Sequence, residues 1–122
     1  MKTLVLGASP NPQRYAYMAV KRLLANGFEV VAVGKRNGEI GGVPIQTGFP
    51  ELEGIDTVTL YVGARYQPDL YDYISGLRPR RVIFNPGTEN PAFQQRLEQE
   101  GIQTENACTL VMLSAGTYER EV

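Results

Sequence analysis

Leu4-Val5-Leu6-Gly7-Ala8-Ser9-Pro10-Asn11-Pro12 is the stretch that decides the fold. Three apolar residues ended by a glycine read as a short buried strand. Gly7 turns the chain. Asn11 followed by Pro12 then reads as N-cap and first helical residue. Asn accepts a hydrogen bond from an orphan amide, and Pro has no N–H to leave unpaired. The spacing predicts a helix from about Pro12 to Asn26, with Tyr15, Met18, Ala19, Leu23 and the stem of Arg22 inward and Val20 and Leu24 widening that face. Gly27 stands where a left-handed residue closes a helix.

The same alternation continues outward. Phe28-Glu29-Val30-Val31-Ala32-Val33 reads as a second strand covered on both faces. The stretch 34–50, with Gly34, Gly38, Gly41, Gly42 and Gly48, reads as a long loop in which Val43-Pro44-Ile45 is a candidate extended piece. Asp56 to Val62 is the third strand. Pro68 opens a short helix to Ser75, with Leu70, Tyr71 and Ile74 inward and Gly76 ending it. Arg81-Val82-Ile83-Phe84 is the fourth strand. Asn90-Pro91 repeats the cap signal before a helix to Glu100, closed by Gly101, and Ile102 to Glu105 is the fifth strand. For 107–113, periodicity leaves a short helix and an extended edge both open. Strands alternating with helices imply an α/β, Rossmann-like, doubly wound parallel sheet of about five strands, order 3-2-1-4-5, helices on both faces. Ligands of such sheets bind beyond the carboxyl ends of the strands where the order reverses. This order puts Gly7 to Tyr15 opposite Asn85 to Asn90.

A length of 122 residues predicts one domain, 1–122. Lys+Arg 12 against Asp+Glu 13 gives a net charge of -1, which argues against a nucleic-acid surface, since affinity for phosphate backbones needs clustered positive charge. His 0 removes histidine as base, metal ligand or phosphoryl carrier, and Cys 1 removes an intrachain disulfide and makes a zinc site untenable. No metal site is expected. The N-terminus lacks the apolar length and cleavage site of a secretory signal, and no stretch approaches the ~18 apolar residues of a membrane span. A cytoplasmic protein with Cys108 reduced is the expectation.

The first loop carries the chemistry. A helix N-terminus offers unpaired amides and the positive end of the helix dipole, so it suits an anion. Ser9 adds a hydroxyl, and Arg14, one turn in, adds a charge. The plain alternative is an ordinary strand-to-helix turn. The loop is not the dinucleotide fingerprint, which needs glycines at its first, third and sixth positions; here stand Gly7, Ser9 and Pro12. No Gly-Lys-Ser/Thr follows, so it is not a P-loop. After strand two, where an NAD site places an acid, the sequence has Val33-Gly34-Lys35-Arg36. Two cations suit a ribose bearing an extra phosphate, as in NADP or coenzyme A; taken alone they also fit a solvated turn.

The pattern Gly7-Ala8-Ser9-Pro10-Asn11-Pro12 with Arg14-Tyr15, then Gly27-Phe28-Glu29-Val30, then Asn106-Ala107-Cys108, resembles the small stand-alone CoA-binding domain proteins. These are similar to the nucleotide-binding domain of succinyl-CoA synthetase and ADP-forming acyl-CoA synthetases. The resemblance covers nearly the whole chain, with the first loop its most specific part. It implies a Rossmann-like fold, with Gly7, Ser9, Asn11 and Arg14 near the CoA phosphates and the Lys35 region near the adenosine end. Two turns depart from the family's pattern. Gly34-Lys35-Arg36 stands for an Asn-Pro-Lys-like turn, and Asn85-Pro86-Gly87 for a Gln-Leu-Gly-like one. The synthetases' phosphohistidine belongs to another domain and has no counterpart here.

Cys108 matches a cysteine often seen near that family's last strand, and a lone Cys without an activating base reads as a core residue. Tyr61, Tyr66, Tyr71 and Tyr73 read as packing, with adenine stacking by Tyr61 or Tyr66, or a dimer surface, as sharper alternatives. The acids Asp56, Asp69, Asp72, Glu89 and Glu98 show no paired spacing for acid–base work. The expected function is non-enzymatic binding of coenzyme A or an acyl-CoA through the loop after strand one and the following helix N-terminus. Gly7, Ala8, Ser9, Asn11, Arg14 and Tyr15 form one side of that site; Lys35, Arg36, Asn85 and Gly87 complete it. The alternatives are an NADP-binding domain and an interaction protein that keeps the fold without the ligand. The expected partner is a small nucleotide ligand, without nucleic acid or membrane; a protein partner or homodimer stays open.

Overall fold

A computed structural model describes residues 1–119. The strands are β1 (Lys2–Ala8), β2 (Glu29–Gly34), β3 (Gly38–Ile40), β4 (Val43–Gln46), β5 (Ile55–Leu60), β6 (Arg81–Phe84) and β7 (Gln103–Asn106). The helices are α1 (Tyr15–Ala25), α2 (Tyr71–Leu77), α3 (Pro91–Gln99) and α4 (Thr109–Ala115), with 3₁₀ turns at Ala64–Tyr66 and Pro68–Leu70. One seven-stranded sheet runs β3-β4-β2-β1-β5-β6-β7, parallel throughout except for the β3–β4 pair.

The α/β class, the parallel sheet and its two helical faces are as the sequence implies; the strand count and order are not. The strand read as third, Asp56 to Val62, is β5. It pairs with β1, Thr3 facing Thr57 and Leu4 facing Val58, instead of with β2. The place beside β2 belongs to β4, inside the stretch read as a loop. β4 is four residues long, carries Pro44, and buries only Ile45, so neither length nor apolar pattern marks it. Its readable signal is Gly41-Gly42, whose φ of 55° and 88° fit the left-handed pair of a tight two-residue hairpin between β3 and β4.

Alternate residues of each central strand serve opposite faces. Leu4, Leu6, Val58, Leu60, Val82 and Phe84 meet Ile74 of α2 and Phe93 and Leu97 of α3. Val5, Ala32 and Ile83 meet Ala16, Val20 and Leu23 of α1 and Leu113 of α4. α1 begins at Tyr15, three residues later than its Asn-Pro signal implies. Asn11 makes a local turn: its Oδ1 accepts from the Gln13 amide at 3.0 Å and its carbonyl from the Arg14 amide at 3.0 Å. Ala19, Val20 and Leu23 are buried as read, Ala16, small enough for close approach to the sheet, joins them, Tyr15 and Met18 are exposed, and Arg22 turns outward to donate to Ser114 Oγ at 3.3 Å.

At α3 the same signal works as read, since Asn90 Oδ1 accepts from the Phe93 amide at 3.1 Å with Pro91 at the helix start. Gly27 and Gly101 close α1 and α3 at φ +82° each. α2 runs through Gly76 to Leu77 and ends on Arg78 at φ 49°. The 107–113 stretch is resolved as α4.

The two asparagines thus differ in weight. Asn90 also donates to Gln67 Oε1 and Tyr71 Oη, each at 2.9 Å. Asn90→Ala is expected to lower stability by about 2 kcal/mol in urea unfolding, and Asn11→Ala by less than about 0.5 kcal/mol. Equal losses would give Asn11 a capping role that its geometry lacks.

Candidate functional site

With β5 beside β1, the order reverses between these two strands: β2 and β4 lie on one side, β5, β6 and β7 on the other. The crevice above them has a volume of about 1160 Å³. Its walls are the first loop, the end of β2 and the segment after β5. The sequence reading set Asn85 to Asn90 directly opposite the first loop. Tyr61-Val62-Gly63 takes that position instead, because β5 intervenes, and Pro86-Gly87-Thr88 forms the outer part of the same wall.

Glycine makes this junction possible. Gly7 sits at φ +99°, and a Cβ there would lie 2.7 Å from the Tyr61 carbonyl oxygen. A Cβ on Gly34 would lie 2.0 Å from the Ala8 carbonyl oxygen. The pairing of β1 with β2 skips a register at this point, between Leu6 and Ala8. Pro10 rests on Gly38, where a Cβ would come within 2.9 Å of the Pro10 ring. The loop is therefore seated on β2, β3 and the turn after β5.

Inside the loop, Ser9 Oγ accepts from the Asn11 amide at 3.1 Å. The hydroxyl proton remains available to a ligand. α1 has Arg14 at its N-cap position with no side-chain cap bond and no acidic residue in its first turn. The positive end of the helix dipole faces the crevice, where Asp69 on the far wall is the acid that lines it. Arg14 and Tyr15 line the mouth, as do Lys35 and Arg36 just past β2. Nine of the ten predicted site residues thus line one crevice: Gly7, Ala8, Ser9, Asn11, Arg14, Tyr15, Lys35, Arg36 and Gly87.

Asn85 is the exception. It is 1% exposed, and its Nδ2 donates to Thr59 Oγ1 at 2.7 Å and to the Leu60 carbonyl at 3.0 Å. Its Oδ1 accepts from the Thr109 amide at 2.9 Å, so the side chain ties α4 to β5. Gly87 lies in the wall with its amide donating to Glu89 Oε1 at 2.9 Å.

The sequence reading missed Gln67. Fully buried, it donates from Nε2 to the carbonyls of Val62 and Thr88, both at 2.8 Å, and joins the two halves of the wall. A glutamine among turn residues carries no sequence signal for that role. Thr47-Gly48-Phe49 after β4 also lines the crevice and was hidden with β4 itself. Tyr61 contributes its backbone. Burial, reinforced by the Cys108 thiol nearby and only partly offset by the Thr59 and Thr109 hydroxyls, pushes its phenol up to about 12, and among the described residues the hydroxyl has no partner in hydrogen-bond geometry. No helix among the described residues is long and apolar enough to cross a membrane.

A family model described as "CoA binding domain" matches residues 1–114. Among solved structures, the chain is similar to an uncharacterized protein at 52% identity and TM-score 0.93, covering 95% of this chain and 96% of that one. A hypothetical protein from Pyrococcus horikoshii OT3 has 23% identity and TM-score 0.83 over 93% of this chain and 81% of its own. A dinucleotide-forming acetyl-coenzyme A synthetase from Ca. Korarchaeum cryptofilum, in complex with phosphate and ADP, has 15% identity and TM-score 0.73 over 87% of this chain and 25% of its own. The last two likenesses are of fold. No curated protein matches the sequence.

The glycine junction and the buried phenol each have a measurable consequence. Gly7→Ala is expected to lower stability by about 1–3 kcal/mol in urea unfolding, because the added methyl meets backbone. Gly48→Ala, at φ +73° in open space, should cost less. The folded protein keeps the Tyr61 proton above pH 10, where an unfolded tyrosine releases it. Stability is therefore expected to fall as pH rises from about 10 towards about 12, and less so in Tyr61→Phe.

Proposed function

We propose, from the premise that this chain belongs to the CoA binding domain family, that its crevice binds coenzyme A or an acyl-CoA without catalysing a reaction on its own. One observation carries the reading. The first loop, the uncapped start of α1 and the Lys35-Arg36 pair line a single crevice at the reversal of strand order. Gly7 and Ala8 bring backbone close to the ligand. Ser9, Asn11 and the first amides of α1 take its diphosphate, with Arg14 supplying charge. Lys35 and Arg36 meet the phosphate on the adenosine ribose. Tyr15 stands at the mouth and Gly87 on the opposite wall. Asn85 enters as the support of α4.

His 0 leaves no imidazole base, and Ser9 Oγ is hydrogen bonded to a backbone amide, not to a base. A positioned acid or base contributes ~10²–10⁴-fold; Asp69, a carboxylate that lines the crevice, is exposed and makes no hydrogen bond to Ser9 Oγ. The Lys35-Arg36 pair also favours a second reading, an NADP site, since a 2′-phosphate needs the same charges. Ser9, where the dinucleotide loop requires glycine, makes it the weaker of the two.

Titration calorimetry with CoA, dephospho-CoA and NADPH separates these readings. CoA is expected to bind tighter than dephospho-CoA, with the gap narrowing as salt rises, because exposed pairs are screened. Tighter NADPH binding would favour the second reading, and no binding of any of the three would favour an interaction protein. Arg14→Ala is expected to weaken CoA by ~1.5–3 kcal/mol, the range for a charge-assisted hydrogen bond. Free thiol release from acetyl-CoA, succinyl-CoA and longer acyl-CoAs should stay at background. Turnover that vanishes in Ser9→Ala or Cys108→Ala would overturn the non-catalytic reading.

A further inference from the structure

Three aromatic side chains stand more than half exposed, Tyr15 at 69%, Phe49 at 59% and Tyr66 at 56%, and all three line the crevice. Exposed aromatic surface is unfavourable in water, so its confinement to one cleft points to planar or apolar groups that cover it. Tyr66 differs from the other two in its company. Lys35 Nζ lies 5.2 Å from its ring centroid and Arg65 Cζ lies 5.1 Å away. Lys35 follows β2 and Tyr66 follows β5, strands that β1 separates, so the Lys35 contact spans the mouth. The ring is also firmly carried. The Tyr66 amide donates to the Gly63 carbonyl at 2.9 Å, and Gln67 beside it is the buried link between the two wall segments. Tyr61 offers no comparable platform, because its carbonyl abuts Gly7 and its phenol is buried.

Resting on the coenzyme A reading, we infer that Tyr66 is the platform on which the adenine of the bound nucleotide stacks, and that Lys35 leaves the ring for the ribose phosphate when the base arrives. Every base has a π-face, so a tyrosine ring holds it without reading its edge. The cation held by the ring is the one the ribose phosphate needs, and the ring gives it up only when the base replaces it. Base and phosphate recognition are thereby coupled through one side-chain contact. The Tyr66 hydroxyl takes no part.

The test is calorimetry with CoA, dephospho-CoA, adenosine 3′,5′-bisphosphate and 4′-phosphopantetheine against the wild-type chain, Tyr66→Ala and Tyr66→Phe. Tyr66 is exposed, so both variants should fold, which circular dichroism checks. Tyr66→Ala is expected to weaken CoA and the bisphosphate by roughly tenfold to a hundredfold and to leave 4′-phosphopantetheine, which lacks a base, unchanged. Tyr66→Phe should stay within about twofold of wild type. The preference for CoA over dephospho-CoA should stay within about twofold in Tyr66→Ala, because both ligands carry the base that displaces Lys35. Loss of structure alone would not spare the binding of 4′-phosphopantetheine. Undiminished CoA binding in Tyr66→Ala, or equal damage in Tyr66→Phe, would overturn the inference while leaving the coenzyme A reading intact. A wild-type chain that binds neither CoA nor the bisphosphate would defeat both.

Discussion

The approach of three backbones at the carboxyl end of the sheet is the constraint on which the site depends. β1 must pass Tyr61 on one side and reach Gly34 on the other within one register step. It does so only because Gly7 and Gly34 have no side chain to place at 2.7 Å and 2.0 Å from carbonyl oxygens. The skipped register between Leu6 and Ala8 then re-aims the chain away from the sheet. The loop that follows has little freedom, since Pro10 is seated on Gly38 and Asn11 closes a local turn. A rigid loop suits anion binding, because amides already oriented need no ordering when the ligand arrives.

Around that junction the walls are held by buried amides instead of by more apolar surface. Asn85 joins β5 to α4, Gln67 joins the two wall segments, and Asn90 joins α3 to Gln67. Each of these side chains has its polar atoms hydrogen bonded, which low dielectric makes both strong and necessary. A polar row continues beneath α4. Thr59 shares a hydrogen bond with Thr109 at 2.7 Å, and fully buried Arg81 lies 4.7 Å from the Tyr118 ring and 3.5 Å from Glu105. Such a row specifies where the C-terminal helix sits, since an apolar interface would tolerate sliding.

Much of this was legible in the sequence. Alternation of β-branched runs with glycine-closed helices marks the class, and nine of the ten residues that the sequence proposes for the site line the crevice. What was not legible follows from two local facts. β4 is four residues with one buried side chain, so its pattern is indistinguishable from loop, and losing it moved β5 to the wrong side of β2. That displacement put Asn85 in the crevice and left Val62 and Gly63 out of it. The other fact is that Asn11-Pro12 and Asn90-Pro91 carry the same local signal and part company in three dimensions. Asn90 is 8% exposed and meets α3, whereas Asn11 is exposed and spends its carbonyls on a turn. Propensity proposes a cap, and packing decides which candidate serves.

The division of labour within the crevice follows from the same physics. The groups closest to the sheet are backbone and small side chains, because glycine contacts leave no room for others. The long side chains Lys35, Arg36, Tyr66 and Tyr15 therefore stand at the mouth, where they are solvated. Ser9 in place of the dinucleotide loop's third-position glycine would keep a ligand's phosphate at side-chain distance from the turn. In the coenzyme A reading proposed above, affinity then comes from the periphery, from paired charges and stacked rings. Long-range attraction at the mouth is screened by salt, and stacking is not. A site built this way depends on its aromatic rim most where ionic strength is high.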